Sequence, residues 1–122
     1  MAKGAADAIA SEIAGLEEAF AGRIYDPDSG VQEAMRLAET ATRPIVIADT
    51  QDNPGAGGDS NTAGMLRALV ENRAEGAALG LMVDPAAAEI AHRAGVGAEV
   101  NLSFGGHSGF DGDDPFEALY KV

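Results

Sequence analysis

The chain has 122 residues, enough for one domain with a modest core, and its 46% hydrophobic and 23% charged composition is that of an ordinary globular protein. Eight Lys and Arg against 20 Asp and Glu leave a net charge of −12, which argues against nucleic acid and anionic membrane surfaces, because phosphate binding needs clustered cations. With no cysteine, disulfides, thiolate metal sites and Cys nucleophiles are excluded.

The acidity has two readings, solubility and attraction for a cation or a basic partner. Met1 to Gly15 lacks the basic head and solid apolar run of a secretory signal. No stretch approaches the roughly 18 apolar residues of a membrane span. Cytoplasm is the expected compartment.

Ala5 to Phe20 reads as an amphipathic helix, with Ala6, Ile9, Ile13, Leu16 and Phe20 recurring at spacings of three and four. A turn follows at Asp26 to Gly30, where Ser29 and Gln32 form a candidate capping box. The next helix is expected from about Gly30 to Thr42, with Val31, Ala34, Met35 and Ala38 inward.

Pro44 to Asp49 is an apolar, β-branched run that reads as a first strand covered on both faces. A polar, glycine-rich loop follows. A third helix is expected from Thr62 to Asn72, with Asp59, Ser60 or Asn61 as its cap. Ala77 to Val83 reads as a second buried strand. Asp84 and Pro85 then supply an N-cap and a first helical residue for a fourth helix over Pro85 to Ala94, which Gly95 ends. Ala98 to Phe104 alternates in polarity, as an edge strand does. The tail from Gly105 to Val122 ends in an unfinished element.

The expected fold class is therefore α/β. A helical lead-in segment over residues 1–43 precedes a βαβαβ unit with a small, mostly parallel sheet over residues 44–122, as an incomplete domain.

The loop between Asp49 and Asn61 carries the strongest candidate chemistry. Gly55, Gly57 and Gly58 permit positive φ and close backbone approach to a ligand. A strand feeding such a loop and a helix N-terminus is where α/β proteins place ligands. Yet the loop holds Asp49, Asp52 and Asp59 and no Lys, so it is not a phosphate loop. Its carboxylates suit a hard cation, an amine or a sugar hydroxyl, or they cap turns and the helix.

Of the two histidines, His92 reads as a surface residue. His107 lies just past a strand end, in Gly105-Gly106-His107-Ser108-Gly109, and is a site candidate. Two histidines 15 residues apart do not make a three-histidine zinc site, and His-Glu-x-x-His and Gly-x-Ser-x-Gly are both absent. Met35, Met65 and Met82 are expected in the core.

Pro44 to Ser60 with its Asp-x-x-Asp-Asn-Pro-Gly-x-Gly-Gly core, then Gly64 to Leu69, Val83 to Pro85, Ala94 to Val100 and Leu102 to Gly106, resembles the C-terminal domain of the microcystinase C (MlrC)-type metallopeptidases. The likeness runs from about Ala6 to Val122. It implies a zinc-dependent hydrolase whose zinc ligands come from a larger N-terminal domain. No position here matches those ligand motifs, so zinc is expected outside this chain and none within it.

The resemblance further implies an internal or truncated segment, or a split subunit, whose partner is the missing zinc domain or a companion chain. Asp49, Asp52, Asn53 and Gly55 are then expected to face the cleft toward that domain. At His107 the family more often shows Lys. Two other readings stay open: a stand-alone module binding a cation or small ligand, and a non-catalytic assembly domain that pairs with a partner or with itself.

Overall fold

A computed structural model describes residues 2–110 and 112–122. Helix α1 spans Ala2–Gly15 and a 3-10 turn spans Glu17–Phe20. Helices α2, α3 and α4 span Pro27–Ala38, Gly64–Glu71 and Pro85–Ala94, and a second 3-10 turn spans Pro54–Ala56. Strands β1, Glu99–Phe104, and β2, Phe116–Lys121, close the chain.

Two of the helices start on the same signal. Asp84 caps α4 by accepting the Ala87 N–H, with Pro85 at the first helical position and Gly95 following at φ 84°. Asp26 and Pro27 do the same for α2, which corrects the expected Ser29–Gln32 capping box and moves the helix start upstream. Asp26 accepts the Ser29 N–H, and the Ser29 hydroxyl is spent on Asp26 itself. The expected long first helix is also shorter, breaking after Gly15 into the 3-10 turn.

The sheet is the main correction. β1 pairs with β2 in antiparallel register, Glu99 opposite Lys121 and Phe104 opposite Phe116. Among the described residues it has two strands, and the expected mostly parallel sheet is not formed. The unfinished tail element supplies β2. Residues 44–49 and 77–83 have strand composition but form neither helix nor strand. A strand exists only by pairing its backbone, and among the described residues nothing pairs with these segments in a hydrogen-bonded ladder. Apart from the half-buried Met82, their side chains are exposed rather than covered on two faces, Val46 at 86% and Leu81 at 70%.

The core is correspondingly small. Among the described residues the buried apolar side chains are Val31, Ala63, Ala68 and Ala87. Met35, expected inside, is exposed, and Met65 and Met82 are half-buried. α2 packs on α3, tied by Asn72, whose amide donates to Asp28 and accepts from Gln32. α4 packs on β1. On the more buried face of the sheet, Phe104 and Tyr120 meet edge to face at 5.8 Å, and the Arg67 guanidinium lies over the Phe116 ring at 5.3 Å. Residues 3–28 are all exposed.

Candidate functional site

The stretch from Ser60 to Ala63 is where the loops are tied together. Asp52 accepts the Ser60 N–H at 2.8 Å, the Thr62 N–H at 2.9 Å and the Thr62 hydroxyl at 3.1 Å. That carboxylate holds Ser60 at φ 55°, a left-handed conformation a side chain rarely adopts unaided. The Ser60 carbonyl takes the Val83 N–H, and the Asn61 carbonyl takes the Gly106 N–H.

Helix α3 is expected over Thr62 to Asn72 with a cap from Asp59, Ser60 or Asn61; it runs Gly64–Glu71 with Ala63 at the N-cap and no side-chain cap. Its opening N–H is met from far away. Asp113 accepts the Ala63 N–H at 3.0 Å, 50 residues along, and also the Ser108 N–H and hydroxyl.

Asp84 is a second long-range clamp, 7% exposed. One oxygen caps α4 and the other accepts the Gly105 N–H at 3.0 Å, with His107 Nε2 at 3.6 Å. Burial pushes the Asp84 carboxyl up, but the Ala87 and Gly105 amides and the nearby His107 outweigh it and hold it below the ordinary range. The Asp52 carboxyl is also held low, chiefly by the Thr62 N–H and against burial, with Ser60 adding to it.

The glycine-rich loop is built around its own acids. Asp49 accepts the Gln51 and Asp52 N–H groups, and Asn53 accepts the Gly55 N–H, both as local side-chain turns. Gly57 sits at φ 97°, and a Cβ on Gly58 would lie 2.8 Å from Asp52 Oδ1. These two glycines are therefore required by the turn and by the close approach of Asp52.

Two cavities flank the loop. One of about 780 Å³ lies between α2, α3 and residues 45–51 and includes Asp49. The other, about 290 Å³, is lined by Asp49, Asp52, Asn53, Thr62 and the two apolar segments 47–49 and 79–82. Asp49, Asp52 and Asn53 are thus brought together. Gly55, Gly57, Gly58 and the exposed Asp59 lie on the loop outside both linings, and His107 stands apart beside Asp84. Among the described residues, no three His, Asp or Glu side chains converge as a metal site. No described helix is long and apolar enough to cross a membrane.

Sequence reading passes over Asp113, Ser108, Arg67 and the second role of Asp84, because each acts through partners 5 to 50 residues away. Asn61 has a buried side-chain oxygen with no hydrogen-bond donor among the described residues.

A family profile described as "MlrC C-terminus" matches residues 47–122, and the chain belongs to that family. It is similar to microcystinase C of a Sphingomonas species, 30% identical over 97 residues that make up 79% of this chain and 19% of that protein. The chain therefore spans about a fifth of the length of this relative.

Proposed function

We propose that the chain works as the C-terminal part of an MlrC-like zinc metallopeptidase that hydrolyses a peptide or amide bond, and that it supports the cleft without supplying metal ligands. The observation that carries this is the acid-built loop, whose Asp49, Asp52 and Asn53 meet at one cavity within the segment that matches the family. Among the described residues no three His, Asp or Glu side chains converge, and in this reading the metal is held by the part of the polypeptide outside this chain, so no step here runs through it.

Within that reading the loop residues divide. Asp52 is spent on Ser60 and Thr62 and acts as a positioning residue. Among the described residues, Asp49 has one carboxylate oxygen bonded to backbone and a second with no bond, and the Asn53 amide nitrogen is likewise unspent. These two orient polar groups of the substrate or hold side chains that surround the metal. Gly55, Gly57, Gly58 and Asp59 shape the loop, and His107 belongs to the Asp84 clamp.

The test is the intact enzyme carrying this segment. Asp49→Asn lowers turnover at unchanged melting temperature, whereas Asp52→Ala lowers the melting temperature first. Unchanged turnover in both Asp49→Asn and Asn53→Ala would sink the cleft role.

A further inference from the structure

We propose that β2 pairs edge to edge with β2 of a second copy of this chain, antiparallel and with a two-fold axis at Leu119, so that two hairpins become one four-stranded sheet.

Backbone direction is the first argument. In an antiparallel pair, alternate residues exchange hydrogen bonds with the partner strand, and those between them point the other way. The Val122 N–H donates to the Ala98 carbonyl at 2.9 Å. Tyr120, Ala118 and Phe116 are in step with Val122 along the register, so they too direct their N–H and carbonyl groups at β1. Glu117, Leu119 and Lys121 direct theirs away from it. Among the described residues nothing bonds to those outward groups, and β1 is the element packed closely against β2. An isolated two-stranded sheet is marginal, and a longer one with a covered face is stable. The open edge is therefore a template for another strand.

The side chains choose the occupant and the register. Glu117, Leu119 and Lys121 share the exposed face of the sheet with Glu99, Asn101 and Ser103 of β1. Leu119, 60% exposed, is the single apolar residue among these six. Setting it opposite Leu119 of a second copy places Glu117 opposite Lys121 twice, once on each side of the axis. The outward N–H and carbonyl groups then meet at all three pairs. Opposite charges and apolar groups directly across from each other stabilise such a ladder, and like charges destabilise it. Moving the axis to Ala118 sets Glu117 against Leu119 and Lys121 against Pro115, which has no N–H to give. In-register parallel pairing sets Glu beside Glu and Lys beside Lys. On the covered face the same register puts Ala118 across from Tyr120, small against large. The outer edge of β1 offers Glu99, Asn101 and Ser103, with no cation, so self-pairing there gains no ion pair.

Neither net charge nor bulk stands in the way. Each copy carries −12, but charges more than about 8 Å apart are screened at physiological ionic strength, so the pattern along the edge decides. α4 lies on β1. The two β1 strands of the paired sheet stand three strand spacings apart, about 14 Å, which leaves room for two helices about 10 Å across.

The experiment is sedimentation of the 122-residue chain at protein concentrations up to about millimolar. The parent moves from the mass of one chain to that of two. Glu117→Lys sets Lys opposite Lys, Lys121→Glu sets Glu opposite Glu, and each variant alone associates at least roughly tenfold more weakly. An equimolar mixture of the two restores opposite charges at both pairs and sediments as two chains, which misfolded variants could not do. The chain has no cysteine, so Leu119→Cys puts a single thiol on the axis. Paired residues there have Cα atoms about 5.5 Å apart, within disulfide reach. Mild oxidation links Leu119→Cys into dimers and leaves Asn101→Cys, on the opposite edge, unlinked.

A parent chain that stays single at about millimolar concentration overturns the proposal. So does a dimer that Glu117→Lys leaves intact, which places the contact on another face such as that of α1. A mixture of the two charge variants that stays single overturns it as well. Linking of Asn101→Cys as fast as Leu119→Cys does the same, since β1 then forms the contact.

Discussion

Asp84 and Gly105 are joined by a 3.0 Å hydrogen bond that fastens the start of α4 to the end of β1. The same carboxylate caps the helix through Ala87. One buried side chain thus fixes how the helix leaves its loop and where the strand stops.

Asp84→Ala should therefore cost more than a cap alone. Loss of a cap is about 1 kcal/mol, and leaving the buried Gly105 N–H unmet adds about 1–3 kcal/mol. Urea unfolding of the variant should show a loss of about 2–4 kcal/mol, with Asp84→Asn between it and the parent. A loss under about 1 kcal/mol would mean the Gly105 bond contributes nothing.

Acid should unfold the protein through the clamps. Asp52 and Asp84 have folded pKa values held below the ordinary 3.8. A lowered folded value means that the unfolded chain binds the proton first. Their stabilisation is complete above the unfolded value and is lost as pH falls below it through the lowered folded values. Melting temperature against pH should be flat from pH 7 to about 5 and fall below about 4, and the fall should be shallower in Asp52→Asn.

Two glycines in left-handed conformation should respond very differently to alanine. Gly76, at φ 65°, has open space around its missing Cβ, so Gly76→Ala carries only the backbone penalty of about 1–2 kcal/mol. Gly106, at φ 68°, has the Pro115 backbone where a Cβ would be. Gly106→Ala should fail to reach the native fold, as read by NMR dispersion, while Gly76→Ala retains it.

Arg67→Lys should not behave as a conservative change. The guanidinium lies over Phe116 while Nη2 donates to the Asp114 carbonyl at 3.0 Å and to that of Pro115 at 3.3 Å. An ammonium cannot stack flat and reach both. The variant should lose about 1–2 kcal/mol, measured by denaturant unfolding.

Removing residues 1–22 should leave the melting temperature of the remainder unchanged. α1 makes its element contacts with its own 3-10 turn, and Ile9, Ile13, Leu16 and Phe20 are exposed. A drop of several degrees would show that the first helix holds the domain together.

Local signals in the sequence carried well, and non-local ones did not. α4 is readable at both ends from Asp84, Pro85 and Gly95, because caps act within four residues. The identical Asp26-Pro27 signal was masked by Ser29 and Gln32, which have the spacing of a capping box although the Ser29 hydroxyl donates to Asp26. β-branched runs at 44–49 and 77–83 announce strands, but pairing depends on a neighbour that composition cannot supply. Asp52 was legible as important, while its partners, eight and ten residues on, were not. Asp113 was invisible for the same reason, since a carboxylate that meets Ala63 across 50 residues leaves no local trace.

Gly106 pressed against Pro115 has a consequence for how this chain accommodates change. The contact brings the two ends of the connection between β1 and β2 together, so the span between them is already a closed ring. Closing a larger ring costs little, about 0.6 kcal/mol for each doubling of its length. A fluorescent or affinity reporter spliced between Gly109 and Phe110 would ride on that ring without disturbing the strand register.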